Sequence, residues 1–169
     1  FFLKASRPSK RLVRFSKNAR RRQIIIEVYR GSPVWLPFSC VMAQKLHLSI
    51  ADQSPVRQGG TAAQALQETV SLAETAEALG YERFWVAEHH NLPGFAGTSP
   101  EILVGQIAAR TKTIRVGSGG VMLSHYSALK VAETFRVLES FYPGRIDLGL
   151  GRAPGSDGIT MQAMRRDPS

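Results

Sequence analysis

Residues able to do chemistry gather at three points along this chain. Glu88, His89 and His90 stand together at the end of the apolar run Phe84-Trp85-Val86. Imidazole titrates near neutral pH, so one of these histidines suits a general acid or base. Two rival readings stand beside that one. Histidines and a carboxylate can bind a metal, although adjacent histidines lack the i, i+4 helical spacing of a zincin. They can also serve structure alone, capping backbone groups where a strand stops. Consecutive residues cannot all face inward if strand alternation persists through them.

The second point is Gly119-Gly120, just after the β-rich run Ile114–Ser118. Paired glycines there mean either a close approach of backbone to another group or a tight turn. The third is Gly149-Leu150-Gly151-Arg152-Ala153-Pro154-Gly155. Its GxGxxxG spacing and internal proline make only a weak match to the dinucleotide-binding GxGxxG. Arg152 is more informative. A guanidinium at the C-terminal edge of a strand suits bidentate phosphate binding, and the plain alternative is a surface ion pair. The sequence contains no Walker motif, nucleophile elbow or EF-hand loop.

The elements that must bring these points together read as a regular alternation. Leu46, Leu48 and Ile50 alternate with His47 and Ser49, which predicts a strand ending at Asp52-Gln53. Thr61 and Gln64 form a capping box for a helix that reaches Gly80, a C′ glycine. A second strand is predicted from Arg83 to His90, between Gly80 and Pro93, in a run too short for a helix. The loop Asn91–Thr98 leads to Ser99-Pro100-Glu101, which reads as an N-cap, a first-position proline and a first-turn acid. That helix ends near Arg110 and Lys112. A third strand covers Ile114–Ser118, a third helix Ser127–Phe141, and a fourth strand Arg145–Gly151 after the turn Pro143-Gly144. Beyond Gly151 the signal fades.

The order β-α-β-α-β-α-β with short links implies parallel strands joined by right-handed crossovers. In such α/β folds ligands bind at the C-terminal strand ends, where all three points fall. Four units make half of a barrel or part of a doubly wound sheet. The open edges of a half-barrel favour a truncated chain.

The formal net charge of +9 suggests a polyanionic partner until it is divided along the chain. Residues 1–45 carry eleven Lys+Arg against one acid, Glu27, whereas residues 46–169 carry eleven Lys+Arg against twelve acids. The body is near neutral, so a whole-chain nucleic-acid role is excluded. The basic leader has three readings: an organellar transit peptide, a polyanion-binding arm, or a disordered or non-native extension over residues 1–41 ahead of a natural start at Met42. The last is the plainest. A single cysteine, Cys40, excludes an intramolecular disulfide framework. No apolar run approaches the roughly 20 residues that span a bilayer, so the expectation is a soluble cytoplasmic protein with no membrane partner.

Three segments in this order and spacing carry a resemblance. WVAEHH at Trp85–His90, RVGSGGVML at Arg115–Leu123 and FYPGRIDLGLGRAPG at Phe141–Gly155 resemble the luciferase-like flavin-dependent monooxygenase family. The resemblance covers roughly Lys45–Asp157 and implies a (β/α)8 TIM barrel, with residues 42–169 as its N-terminal half. It also implies bound reduced FMN used with O2 on a small-molecule substrate, a partner flavin reductase, and a homo-oligomeric full-length parent. A deazaflavin is the alternative cofactor on the same fold. By this resemblance His89 is the catalytic base or proton donor. Glu88, His90, Gly119, Gly120, Val121, Met122, Gly151 and Arg152 would line the cofactor, with Arg152 on its phosphate and a non-prolyl cis peptide at Gly119-Gly120. No metal is implied. Gly151 stands where the luciferases proper carry a reactive cysteine, which implies a generic monooxygenase or reductase rather than a light emitter. The rival reading is a non-catalytic barrel fragment or partner subunit.

Overall fold

Apolar alternation and helix caps put most elements where the sequence predicts them. The structure, a computed structural model, describes residues 11–13, 26–28 and 47–164. Two short strands, β1 (Arg11–Val13) and β2 (Ile26–Val28), pair antiparallel. The rest of the basic leader, with Cys40, Met42 and the expected strand start at Leu46, lies outside the described residues. The body runs β3 (Ser49–Asp52), α1 (Ala62–Ala78), β4 (Arg83–Val86), α2 (Pro100–Arg110), β5 (Arg115–Met122), α3 (Ala128–Phe141), β6 (Ile146–Gly151) and α4 (Gly158–Ala163).

Strands β3 to β6 form one parallel sheet in sequential order. Ile50, Phe84, Val116 and Ile146 share one register row. Phe84, Val86 and Val116 on this face are fully buried beside Leu103, Val104 and Ile107 of α2 and Ala73 and Ala76 of α1. A smaller cluster joins Val121 of β5 to Val131 and Phe135 of α3. Both helix-facing clusters bury apolar area, the main favourable term in folding.

Helix ends are closed in unlike ways. The α1 capping box forms as predicted, with Gln64 N donating to Thr61 Oγ1 at 3.2 Å and Thr61 N to Gln64 Oε1 at 2.9 Å. Ser99 and Ser127 stand at the N-caps of α2 and α3, but neither side chain makes a capping hydrogen bond. The far end of α2 is held by Arg145, which donates to the carbonyls of Ala108 at 3.1 Å and Thr111 at 2.9 Å. Terminal carbonyls without helical partners need such donors. Glu77 Oε1 accepts from the backbone N–H of Lys112, Thr113 and Ile114 at 2.8, 2.6 and 2.9 Å, fixing the entry to β5.

Two predicted strand ends are corrected, and one helix is added. Strand β4 stops at Val86, not at His90. The His89 amide donates to Gly97 O and the His90 amide to Gly155 O, so this backbone has left the ladder for two loops. Strand β5 runs on to Met122 rather than turning after Ser118. Helix α4 was not predicted, and Asp157 caps it by accepting from Thr160 N at 2.9 Å.

Candidate active site

The C-terminal ends of β4, β5 and β6 meet at glycines. Ser118 pairs with Leu148 and Val121 with Leu150, so β5 carries one extra residue at a bulge over Gly119-Gly120. The peptide joining these two glycines is cis. A Cβ on Gly120 would lie 2.9 Å from the Gly149 carbonyl, and one on Gly149 only 2.2 Å from Ser118 O. Backbone therefore approaches backbone here more closely than any side chain permits. The Ser118 hydroxyl fastens the bulge, donating to Gly149 O at 2.9 Å and accepting from Gly149 N at 3.1 Å.

Glu88 sits beside this bulge and is completely buried. Its Oε1 lies 2.6 Å from His90 Nε2, and its Oε2 accepts from Met122 N at 2.8 Å. The Tyr126 hydroxyl is a further donor to the same carboxylate. Burial, with Glu88 and Glu101 nearby, pushes the Tyr126 phenol well above its ordinary range, so it stays a donor. A buried carboxyl needs such partners for every lone pair it can satisfy. Through them Glu88 ties the end of β4 to the end of β5.

His90 and His89 then diverge. The His90 ring stacks on His125 with centroids 3.8 Å apart, and His125 belongs to the 3₁₀ turn Leu123–His125 that follows β5. The His89 ring instead stacks on Phe95 at 4.6 Å. Its Nδ1 is buried and has no hydrogen-bond partner among the described residues. Burial lowers the His89 pKa from 6.5, the nearby His90 lowers it further, and Glu88 partly offsets both. At neutral pH His89 is thus uncharged and able to accept a proton.

The remaining predicted residues divide clearly. Met122 lies between Gly151 and Gly155: a Cβ on Gly151 would come 2.8 Å from Met122 Sδ, and one on Gly155 3.2 Å from Met122 Cγ. Val121 reaches the strand end with backbone only, since its side chain is buried against α3. Arg152 is exposed and makes no ion pair or hydrogen bond among the described residues, so the surface ion-pair reading does not describe it.

Sequence reasoning missed four supporting residues. His125 and Tyr126 follow β5 directly, and the rule that strand ends carry function could have found them. Asp52 and Thr69 act from beneath, their side chains 2.5 Å apart, with Asp52 also accepting from Ser54 N at 3.1 Å. Ser54 O in turn accepts from Ala96 N, next to the Gly97 whose carbonyl holds the His89 amide. Among the described residues no group of three or more His, Cys, Asp or Glu is placed to hold a metal ion. No described helix is long and apolar enough to cross a membrane.

The profile of the luciferase-like monooxygenases matches residues 46–167. The chain belongs to this family. It is 67% identical over 117 residues to the Bacillus subtilis (strain 168) protein YwcH, covering 69% of this chain and 35% of that relative. It is 55% identical over 122 residues to the N-acetyl-S-alkylcysteine monooxygenase of the same strain, covering 72% and 36%. The crystal structure of apo-MsnO8 superposes with a TM-score of 0.68 at 54% identity, over 73% of this chain and 37% of that one. The chain therefore spans about a third of the length of the curated relatives it matches. Two further solved structures share the fold at 22% identity. One is the oxygenating constituent of a 3,6-diketocamphane monooxygenase from Pseudomonas putida in complex with FMN, at TM-score 0.64 over 70% of this chain and 32% of that one. The other is a coenzyme F420-dependent tetrahydromethanopterin reductase from Methanopyrus kandleri, at TM-score 0.50 over 69% and 28%.

Proposed function

We propose that the β4–β6 strand ends form one side of a flavin site in a cytoplasmic monooxygenase that uses FMN and O2 on a small organic substrate. One juxtaposition carries this reading. An exposed Arg152 and a buried imidazole nitrogen on His89, neither with a partner among the described residues, occur at the same sheet edge, which suits a phosphate-bearing, redox-active ring. These residues fit FMN: the guanidinium suits its phosphate, and His89 Nδ1, with no partner among the described residues, is left for proton transfer rather than for holding the cofactor. Family membership and the FMN complex of a protein of this fold support the same choice.

The chemistry a bound flavin would supply is the electrons for O2 activation. The chain supplies position and proton control. Phe95 and Gly97 hold the His89 ring and backbone, leaving Nδ1 free to take or give a proton. Arg152 binds the phosphate, and Glu88 keeps the strand ends in register. We assign the supply of reduced flavin to a separate reductase and expect the whole protein to be a homo-oligomer.

The test is direct titration of the protein with FMN and with a deazaflavin, followed by O2 uptake with reduced FMN. Preferential FMN binding with O2 uptake supports the reading; preference for the deazaflavin overturns the cofactor, and binding of neither overturns the site. A second reading, a non-catalytic partner subunit, is favoured by the exposure of Leu148 and Leu150 on β6. It predicts no O2 uptake in the same experiment.

A further inference from the structure

The segment Arg152–Asp157 leaves β6 without regular structure, yet three hydrogen bonds fasten it to neighbouring strand ends. The His90 amide donates to Gly155 O at 2.7 Å. Asn91 Nδ2 donates to Asp157 Oδ2 at 3.2 Å. His125 Nε2 donates to Pro154 O at 2.6 Å, and because a carbonyl only accepts, that nitrogen carries the proton. Gly155, at φ +62°, lies so close that a Cβ on it would sit 3.0 Å from Glu88 O.

His125 differs from the other two anchors because its ring is held independently of the segment. It stacks at 3.8 Å on His90, whose own Nε2 is fixed by the buried Glu88 at 2.6 Å. The donor is thus aimed by the β4 and β5 ends before the segment arrives. Its target lies two residues from Arg152, the exposed guanidinium at the same edge.

We propose that His125 is a positioning residue that latches the 153–157 segment to the ends of β4 and β5 and so holds Arg152 in reach of a phosphate. The latch itself stands on the geometry; its phosphate consequence rests on the flavin reading above. A long cationic side chain loses less freedom on binding when its backbone is already anchored.

Two substitutions separate the parts of the argument. His125→Phe keeps a ring to stack on His90 and removes the donor. His125→Gln removes the ring and returns a donor of similar reach. Amide exchange by NMR reads the latch, with the His90 amide as reporter and the Val116 amide, bonded to Arg145 O within the sheet, as internal control. His125→Phe should speed exchange at His90 about tenfold, the order of one hydrogen bond lost, and leave Val116 unchanged; His125→Gln should restore the slow rate. Unchanged exchange at His90 in His125→Phe overturns the latch. So does equal acceleration at Val116, which would mark general loosening.

Affinity for FMN against riboflavin, which lacks the phosphate, reads the consequence. His125→Phe should weaken FMN binding about tenfold and leave riboflavin binding unchanged, as Arg152→Ala should. Equal loss for both flavins overturns the phosphate role. A chain that binds neither flavin overturns the functional reading and the phosphate role together, while amide exchange still decides the latch.

Discussion

Glu88 accepts from Met122 N, pairs with His90 Nε2 and receives the Tyr126 hydroxyl, all without contact with solvent. Removing it strands three polar groups at once. Glu88→Ala should therefore cost about 3–5 kcal/mol, the range for breaking a buried charged network, measured by chemical denaturation; a loss below about 1 kcal/mol would show that these groups find other partners. His89 calls for the opposite signature. Few described contacts depend on its ring beyond Phe95, so His89→Ala should leave FMN affinity within about twofold and slow turnover about 10²-fold. The acid limb of the wild-type rate profile should fall below pH 6.5, because burial and His90 lower the His89 pKa. Full turnover in the alanine variant would remove the proton-transfer role. The cluster Glu-His-His was legible as chemistry in the sequence, but its division of labour was not. Alternation fails after Val86: the His89 and His90 amides bond to loops that only the fold brings near, while Glu88 is committed through its carboxylate.

Among the elements, the β5–β6 pair depends on glycine to unequal degrees. A Cβ at Gly149 would meet the Ser118 carbonyl at 2.2 Å, a rigid backbone atom inside the ladder. A Cβ at Gly151 would meet Met122 Sδ at 2.8 Å, and a flexible thioether can swing aside. Gly149→Ala should thus destabilise by about 3 kcal/mol, the upper range for overpacking, and Gly151→Ala by less than about 1 kcal/mol. Equal melting temperatures for the two variants would contradict this account of the bulge. Element order and helix starts were legible because capping and alternation are local: Thr61-Gln64 formed its box as written. The run of β5 through Gly119-Gly120 was not, since glycines in a strand look like a turn until a second strand is seen to need their missing side chains. Helix α4 was missed because Asp157 and Thr160, which begin it, stand in a segment with little apolar periodicity.

At the scale of the whole molecule, four β/α units leave β6 as a sheet edge with Leu148 and Leu150 exposed, and stability rests on two helix-facing apolar clusters plus polar clamps. The clamps make stability proton-linked. Burial alone would raise the Glu77 pKa, but the backbone N–H groups of Ile114, Thr113 and Lys112 and the Thr113 hydroxyl outweigh it and bring it from 4.5 to about 2. Between those values the unfolded chain binds more protons, so this contribution is present above about pH 4.5 and is lost as pH falls toward 2. His89 acts with the same sign, because its folded pKa also lies below the unfolded value of 6.5: stability is greatest above that pH and declines as pH falls through the folded value. Acidification should therefore lower the melting temperature in two stages, the first beginning near pH 6.5 and the second below pH 4.5. Glu77→Gln should lower the melting temperature at neutral pH and shrink the second stage, since an amide keeps one acceptor but no charge for the β5 amides; what remains belongs to Asp157, whose carboxyl Thr160 also holds low. His89→Asn should abolish the first stage alone. A melting temperature that rises on acidification through either window, or a second stage undiminished by Glu77→Gln, would assign the acid sensitivity of this fold to other groups.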